Sequence, residues 1–246
     1  MANRNTLLDR ISTLEARPPW SVTMALLSIV AAFIANVAAV AFVQSWFGPR
    51  QTWLLLAWTI AALLIVIFVF QSRRSAAERA ALRLQSPGVA LPLLLVINIG
   101  FAMLLDLLSL GVTGEFLPMP ELLVLAQAPD DAIAWLSAGL LMVIAQPAGE
   151  ELIFRGIAQP IFRSALGAWP GLLLSAVAYG IFHLAVYTTG SLGNPQDPAV
   201  WYSLILPTLH GLVFALNRAA TGSTRAAILA HAAFGVFAVL KAFIIL

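Results

Sequence analysis

Long apolar runs separated by short polar connections make up most of the chain. A membrane-spanning helix needs about 20 mainly apolar residues, and seven runs are of about that length. They cover residues 21–46, 52–71, 89–110, 132–152, 170–188, 200–217 and 225–245. The fourth run stays apolar, with polar residues at intervals, so its helix is predicted to continue to about residue 165. The pattern predicts an all-α fold, a polytopic transmembrane helix bundle of about seven spanning helices.

Composition agrees with a membrane protein. Of the 246 residues, 61% are hydrophobic and 10% are charged, whereas about 25% are charged in soluble domains. The absence of cysteine excludes disulfides, thiolate metal sites and cysteine nucleophiles. A net charge of only +2 does not indicate nucleic-acid binding. The lipid bilayer is therefore an expected partner, and nucleic acid is not.

Basic residues concentrate in alternate connections. They are Arg4, Arg10, Arg17, Arg73, Arg74, Arg79, Arg83, Arg163, Arg218 and Arg225. Because short cytoplasmic loops carry the excess of Lys and Arg, these segments are predicted to be cytoplasmic. The N-terminus is then inside and the C-terminus outside. The expected location is the bacterial plasma membrane, as a multi-pass integral protein.

The first 19 residues differ from the rest of the chain. Residues 1–19 are predicted to be cytoplasmic, and Leu7, Leu8, Ile11 and Leu14 share one helical face. Such a face suits an interfacial amphipathic helix on the inner leaflet. Residues 20–246 are predicted to form the transmembrane bundle.

Few ionisable side chains interrupt the apolar runs, and these are candidates for function because charge at the centre of a spanning helix costs about 2.5–3.5 kcal/mol. They are Asp106, Glu150, Glu151, Arg155, His183, His210 and His231. On a helix, Glu151 faces Arg155 four positions later. Glu150 points about 100° away from its neighbour and lacks that partner. One carboxylate is thus paired, and the other is free to act as a general base.

Two histidines on other runs complement the glutamate pair. His183 and His231, together with the carboxylates, supply what peptide hydrolysis needs, namely a base for water and donors for the oxyanion. His210 is expected to form a structural hydrogen bond, and Asp106 to pack inward against a polar partner. The sequence contains no His-Glu-x-x-His motif and no Gly-x-Ser elbow, which excludes zincin and rhomboid-type sites.

These residues resemble a family, the CAAX-processing and bacteriocin-processing (CPBP, also called ABI) intramembrane endopeptidases. The family's motifs are, in order, Glu-Glu-x-x-x-Arg, Phe-x-x-x-His and His-x-x-x-Asn/Asp. The first is met by Glu150, Glu151 and Arg155. The resemblance covers about residues 132–238, which are the expected CPBP-like core of the bundle.

The second and third motifs are met with one departure each. Tyr179 stands in place of Phe before His183, and Gly235 stands where an Asn or Asp follows His231. Loss of one oxyanion donor lowers turnover by on the order of 10²–10³. A backbone N–H, Asn217 or a water are the candidate substitutes for the missing amide.

The resemblance implies an intramembrane endopeptidase. Its substrates would be membrane-associated peptides or proteins, either prenylated CAAX-type or bacteriocin-like. Glu150 would be the general base acting on water, helped by His183. Glu151 and Arg155 would hold the geometry of the site, and His231 would stabilise the oxyanion.

Three alternatives stay open at this stage. The set Glu150, His183 and His231 matches the ligands of some zinc sites, although the same residues work without a metal, which is the favoured interpretation. A catalytically inactive CPBP-like membrane scaffold or immunity protein is the alternative function, and Gly235 suits it. A small transporter that uses the buried polar residues is a third hypothesis.

Overall fold

The computed structural model describes residues 6–188 and 198–246. Its helices are α1 (Leu7–Ser12), α2 (Val22–Phe47), α3 (Trp53–Ser72), α4 (Ala76–Ala81), α5 (Leu91–Thr113), α6 (Ala132–Leu166), α7 (Ala168–Tyr187), α8 (Pro198–Thr221) and α9 (Thr224–Ile245). Seven of them, α2, α3 and α5 to α9, are long and apolar enough to cross a membrane, and no strand occurs in the part described. The predicted all-α polytopic bundle is confirmed. Arg4, one of the basic residues used above, lies outside the described ranges.

Helix α2 packs against the bundle through a face of small residues. Its buried positions include Ala25, Ala32 and Ala39, which recur every seven residues, while large side chains such as Leu27 and Ile34 are exposed. Small residues let two backbones approach closely, and large apolar ones suit lipid. The alanine face packs against the following helix, α3.

Helix α6 lies at the centre of the bundle. It continues from Ala132 to Leu166, which confirms that the fourth helix extends beyond the predicted span. At 1.5 Å per residue its 35 residues measure about 52 Å, longer than a bilayer core of about 30 Å. Every residue from Glu150 to Arg163 is buried, because α2, α3, α7 and α9 all pack against this helix.

Three widened, π-helical turns occur in the described helices, and each ends two residues before a proline. The turns are Leu141–Ala145, Leu152–Ala158 and Trp201–Ile205, followed by Pro147, Pro160 and Pro207. Proline lacks an N–H, and its ring crowds the carbonyl four residues earlier. A π turn bonds across five residues instead of four, so the helix continues through the proline. In α6 two such turns flank residues 146–151, which carry the glutamate pair.

One end of the bundle is rich in arginine, and we call it the basic end. There the Glu15 carboxylate forms ion pairs with Arg83, at 3.2 Å, and with Arg218. Arg163, at the end of α6, donates to the backbone carbonyls of Ile11 and Thr13. These contacts hold the N-terminal segment against the bundle. The cytoplasmic location of this end stays a prediction.

Helix α1 is shorter than the predicted amphipathic segment. It spans six residues, and Ile11 is buried against Leu172 and Ala215 while Leu7 and Leu8 are exposed. One apolar residue of the predicted face therefore anchors the segment to the bundle. Membrane-surface binding by the others stays a prediction.

The connection between α5 and α6, at the opposite end, folds back into the protein. It contains a 3-10 helix, Pro120–Gln127, in which Glu121, Leu122 and Leu125 are fully buried. The two leucines pack into the main core. This connection brings a carboxylate into the interior of the bundle.

Candidate active site

The five residues predicted from the motifs lie together. Glu150, Glu151 and Arg155 come from α6, His183 from α7 and His231 from α9, and all five side chains are buried. Because they come from three helices, their proximity depends on how those helices pack. Their contacts form two sets, one around Glu150 and one around Glu151.

Glu150 pairs with His183. The Glu150 Oε2 atom lies 3.1 Å from His183 Nε2, and the Tyr187 hydroxyl donates to Glu150 Oε1 over 2.6 Å. Tyr187 is the last residue of α7, one turn after His183, so one helix supplies both partners. Each oxygen of this carboxylate therefore has a different neighbour.

Glu151 pairs with Arg155, as the spacing predicts. Arg155 Nη1 donates to Glu151 Oε1 over 3.0 Å, and its Nη2 donates to the Gly211 carbonyl over 2.6 Å. The guanidinium carbon also lies 4.5 Å from the centre of the Tyr179 ring. A buried charge needs such partners, and here they tie α6 to α7 and α8.

The second histidine meets Glu151 and not Glu150. His231 Nδ1 lies 3.0 Å from Glu151 Oε1, and its ring stacks on Phe214 with centroids 4.6 Å apart. The Tyr179 hydroxyl lies 3.5 Å from His231 Nε2. The tyrosine that replaces the phenylalanine of the motif thus adds a polar contact to this histidine.

A third carboxylate, which the sequence reasoning missed, completes the site. Glu121 Oε1 lies 3.2 Å from His183 Nδ1 and 3.3 Å from Gln146 Nε2. His183 therefore stands between two carboxylates, Glu121 and Glu150. Glu121 is followed by the apolar run Leu122 to Leu125, and this was the available signal that its connection is buried.

A small cavity lies among these side chains. Its volume is about 20 Å³, and a cavity of at least about 10–15 Å³ holds one water. Its polar lining is Glu121, Gln146, Tyr179, His183, His210 and His231. A second cavity, of about 30 Å³, shares Met119, His210, Phe234 and Ala238 with it. The two spaces are therefore neighbours.

The two remaining candidates, Asp106 and His210, are half-buried and line the second cavity. Asp106 forms an ion pair with Lys241, which confirms the expected inward packing against a polar partner. His210 contacts the rings of Phe214 and Phe234. No hydrogen bond to its ring occurs within residues 6–188 and 198–246, so the expected structural bond is not formed there, because the ring faces aromatic side chains and cavity space.

The three side chains considered as zinc ligands do not converge on one point. Both ring nitrogens of His183 face carboxylates, and Nδ1 of His231 faces Glu151 instead of Glu150. Among the described residues, no group of three or more His, Asp or Glu side chains is placed to hold a metal ion. As arranged, Glu150, His183 and His231 do not fit a shared metal.

Comparison with known proteins gives one match. Residues 132–237 match the family described as Type II CAAX prenyl endopeptidase Rce1-like. No curated protein and no solved structure matches the chain. The matched segment begins with α6 and ends in α9, so it contains the positions of all three motifs, including the departures at Tyr179 and Gly235. The match supports the resemblance to CPBP-type endopeptidases found in the sequence and a function of the CAAX-protease kind.

Proposed function

We propose that this protein is an intramembrane endopeptidase that hydrolyses peptide bonds with water activated by Glu150 and His183. One observation carries the proposal: these two side chains lie 3.1 Å apart, and His183 borders a buried cavity with room for a water molecule. A carboxylate, an imidazole and a cavity of water size together suit general acid–base catalysis.

In the proposed reaction the Glu150 carboxylate takes a proton from water as the water oxygen attacks the peptide carbonyl. The new carbon–oxygen bond gives a tetrahedral oxyanion. The proton then passes to the leaving nitrogen as the carbon–nitrogen bond breaks, which yields a carboxylic acid and an amine. His183 contacts the base, Glu150, at hydrogen-bond distance and holds it in place. Glu121 contacts the other nitrogen of the His183 ring and fixes its orientation.

Glu151 and Arg155 act in this proposal through geometry. Arg155 joins Glu151 to the Gly211 carbonyl of α8, and Glu151 in turn holds His231. His231 lines the cavity and is the expected contact for the oxyanion. Both members of the Glu151–Arg155 ion pair are buried. Such a pair is held firmly together, because separating its members leaves a buried charge without compensation.

The seven spans and the CPBP-type core support substrates that are themselves associated with the membrane. We propose prenylated CAAX-type or bacteriocin-like peptides and proteins as the substrate class. We further propose that the basic end faces the cytoplasm of a bacterial plasma membrane, in keeping with the positive-inside rule.

A catalytically inactive scaffold or immunity protein is the second candidate. It is favoured by one observation, the glycine at position 235 where the third motif expects an amide or a carboxylate. The two candidates differ in whether the function of the protein depends on the carboxylate of Glu150.

The test compares the termini of membrane proteins in cells that carry the native protein or Glu150→Gln at equal expression. Labelling of new N- and C-termini followed by mass spectrometry identifies the cleaved proteins. His183→Ala is the second active-site variant. Glu115→Gln, at an exposed position, is the matched control for loss of a carboxylate.

The endopeptidase proposal expects specific termini that are present with the native protein and with Glu115→Gln, and that disappear with Glu150→Gln and His183→Ala. The same termini then identify the substrates. If all four strains have identical termini, and Glu150→Gln rescues any phenotype of the deletion strain, the scaffold candidate replaces the enzyme.

A further inference from the structure

Position 235 cannot hold a side chain as the bundle is packed. A Cβ atom added to Gly235 would lie 2.0 Å from the carbonyl oxygen and 2.6 Å from the carbonyl carbon of Met142. Met142 belongs to the first π turn of α6. Helix α9 thus rests directly on the backbone of that turn, and the donor that the third motif would place here has no room.

The nearest polar groups do not replace that donor. His231 offers the oxyanion only one ring nitrogen, Nε2, because its Nδ1 faces Glu151. The amide of Asn217 is engaged with Asn98 and the Val213 carbonyl. These groups therefore leave the second oxyanion contact of the motif unfilled.

Gln146 offers an N–H for that contact. It is fully buried, it directly follows the π turn that excludes a side chain at position 235, and it lines the same cavity as His183 and His231. Gln146 lies one turn before Glu150, on the same face of α6. The π turn therefore leaves no room for a side chain at position 235, and the residue that follows the turn, Gln146, faces the cavity.

The hydrogen bonds of Gln146 are weak on the donor side and unmade on the acceptor side. Its Nε2 atom carries two hydrogens. It forms a 3.3 Å bond to Glu121, longer than the usual 2.9–3.0 Å, and the Tyr187 hydroxyl is its other hydrogen-bonding neighbour. Its Oε1 atom is buried and has no partner among the described residues. A buried carboxamide that is only half satisfied destabilises the fold, unless a ligand completes its bonds.

We propose that the Gln146 carboxamide is the second oxyanion donor of this site, beside His231. The inference rests on the proposed endopeptidase function. When water adds to the peptide carbonyl and Glu150 takes the proton, the negative charge develops on the former carbonyl oxygen. An N–H of Gln146 then stabilises that charge until the carbon–nitrogen bond breaks.

The test replaces Gln146 by methionine, which has a similar length and no N–H. Gln159→Met is the matched control, because Gln159 is also buried on α6, also makes one side-chain bond, to Ala215, and also has an unpartnered Oε1. The readout is the rate at which Glu150-dependent termini form in membranes that contain equal amounts of each full-length variant. Thermal unfolding of the purified variants measures stability.

We expect Gln146→Met to slow the formation of these termini by on the order of 10²–10³, and Gln159→Met to slow it by less than about tenfold at a similar loss of stability. If Gln146→Met unfolds, Gln146→Leu repeats the test with another side chain that has no hydrogen-bond donor. Equal rates for Gln146→Met and the native protein overturn the inference and leave the proposed function intact. Absence of Glu150-dependent termini in the native strain overturns both.

A double-variant cycle separates direct action from action through Glu121. Gln146→Met is combined with Glu121→Gln, and each rate is compared with that of the single variants. If Gln146 contacts the oxyanion, its loss slows the Glu121→Gln protein by a further factor on the order of 10². If Gln146 only positions Glu121, the double variant is no slower than Glu121→Gln alone, and the oxyanion role is excluded.

Discussion

Adding a single methyl group at Gly235 tests how closely α9 rests on the first π turn. In Gly235→Ala the new Cβ would lie 2.0 Å from the Met142 carbonyl oxygen, whereas ordinary contact begins at 3.4 Å. The helix must therefore move outward by roughly 1.4 Å. The obstacle is backbone and not the flexible end of a side chain, so local adjustment cannot relieve it.

The expected loss of stability follows from this overlap. Overpacking costs about 1–3 kcal/mol, and a clash with a carbonyl belongs at the upper end of that range. Replacement of glycine by alanine in a helix returns up to about 1 kcal/mol. We therefore expect Gly235→Ala to lower the free energy of unfolding by about 2 kcal/mol.

Equilibrium unfolding in mixed micelles measures this difference. Gly100→Ala is the control, because its Cβ would meet no atom within 4 Å, and we expect it to be neutral or more stable. Gly235→Asn, which restores the residue type of the motif, is expected to be less stable than Gly235→Ala and slower in cleavage. A Gly235→Asn protein that unfolds like the native protein and cleaves faster would refute the packing argument.

Three further substitutions test the contacts of the site. Glu121→Gln removes one of the two carboxylates that hold His183. We expect turnover, measured as the rate of Glu150-dependent cleavage, to fall by on the order of 10²–10⁴. Unchanged turnover would mean that Glu121 has no positioning role. Arg155→Met removes the cation beside the buried Glu151 carboxylate and leaves it only the His231 contact, so the free energy of unfolding in mixed micelles should fall by about 3–5 kcal/mol. A loss below about 1 kcal/mol would contradict the buried pairing. Tyr187→Phe removes a hydrogen bond to a carboxylate, so stability in the same assay should fall by about 1.5–3 kcal/mol, while a stability equal to that of the native protein would show that the bond contributes nothing.

The sequence by itself determined the class of fold and most of the site. Hydropathy is a local property, and a bilayer leaves the helix as the way to satisfy the backbone of an apolar segment. This is why six of the seven spans were found within a few residues of their observed ends, and why the fourth helix, predicted to run past its span of 132–152 to about residue 165, was found to end at Leu166. The i to i+4 spacing is also local, so the pairing of Glu151 with Arg155 was predictable.

Contacts between helices were decided by the tertiary structure alone. The sequence gives no signal for which glutamate meets which histidine, and only packing assigns Glu150 to His183 and Glu151 to His231. Glu121 lies 29 residues before Glu150 in a connection outside the predicted spans, and burial of its apolar neighbours draws it into the site.

The glycine at position 235 shows most clearly that contacts between helices cannot be inferred from the sequence alone. Read along the chain, it is a missing side chain in a catalytic motif. In the folded protein it is the point where α9 touches the backbone of a π turn, and a glycine is needed for that approach. Sequence spacing specifies which residues share a helix face, whereas the distance between two helices depends on every side chain between them.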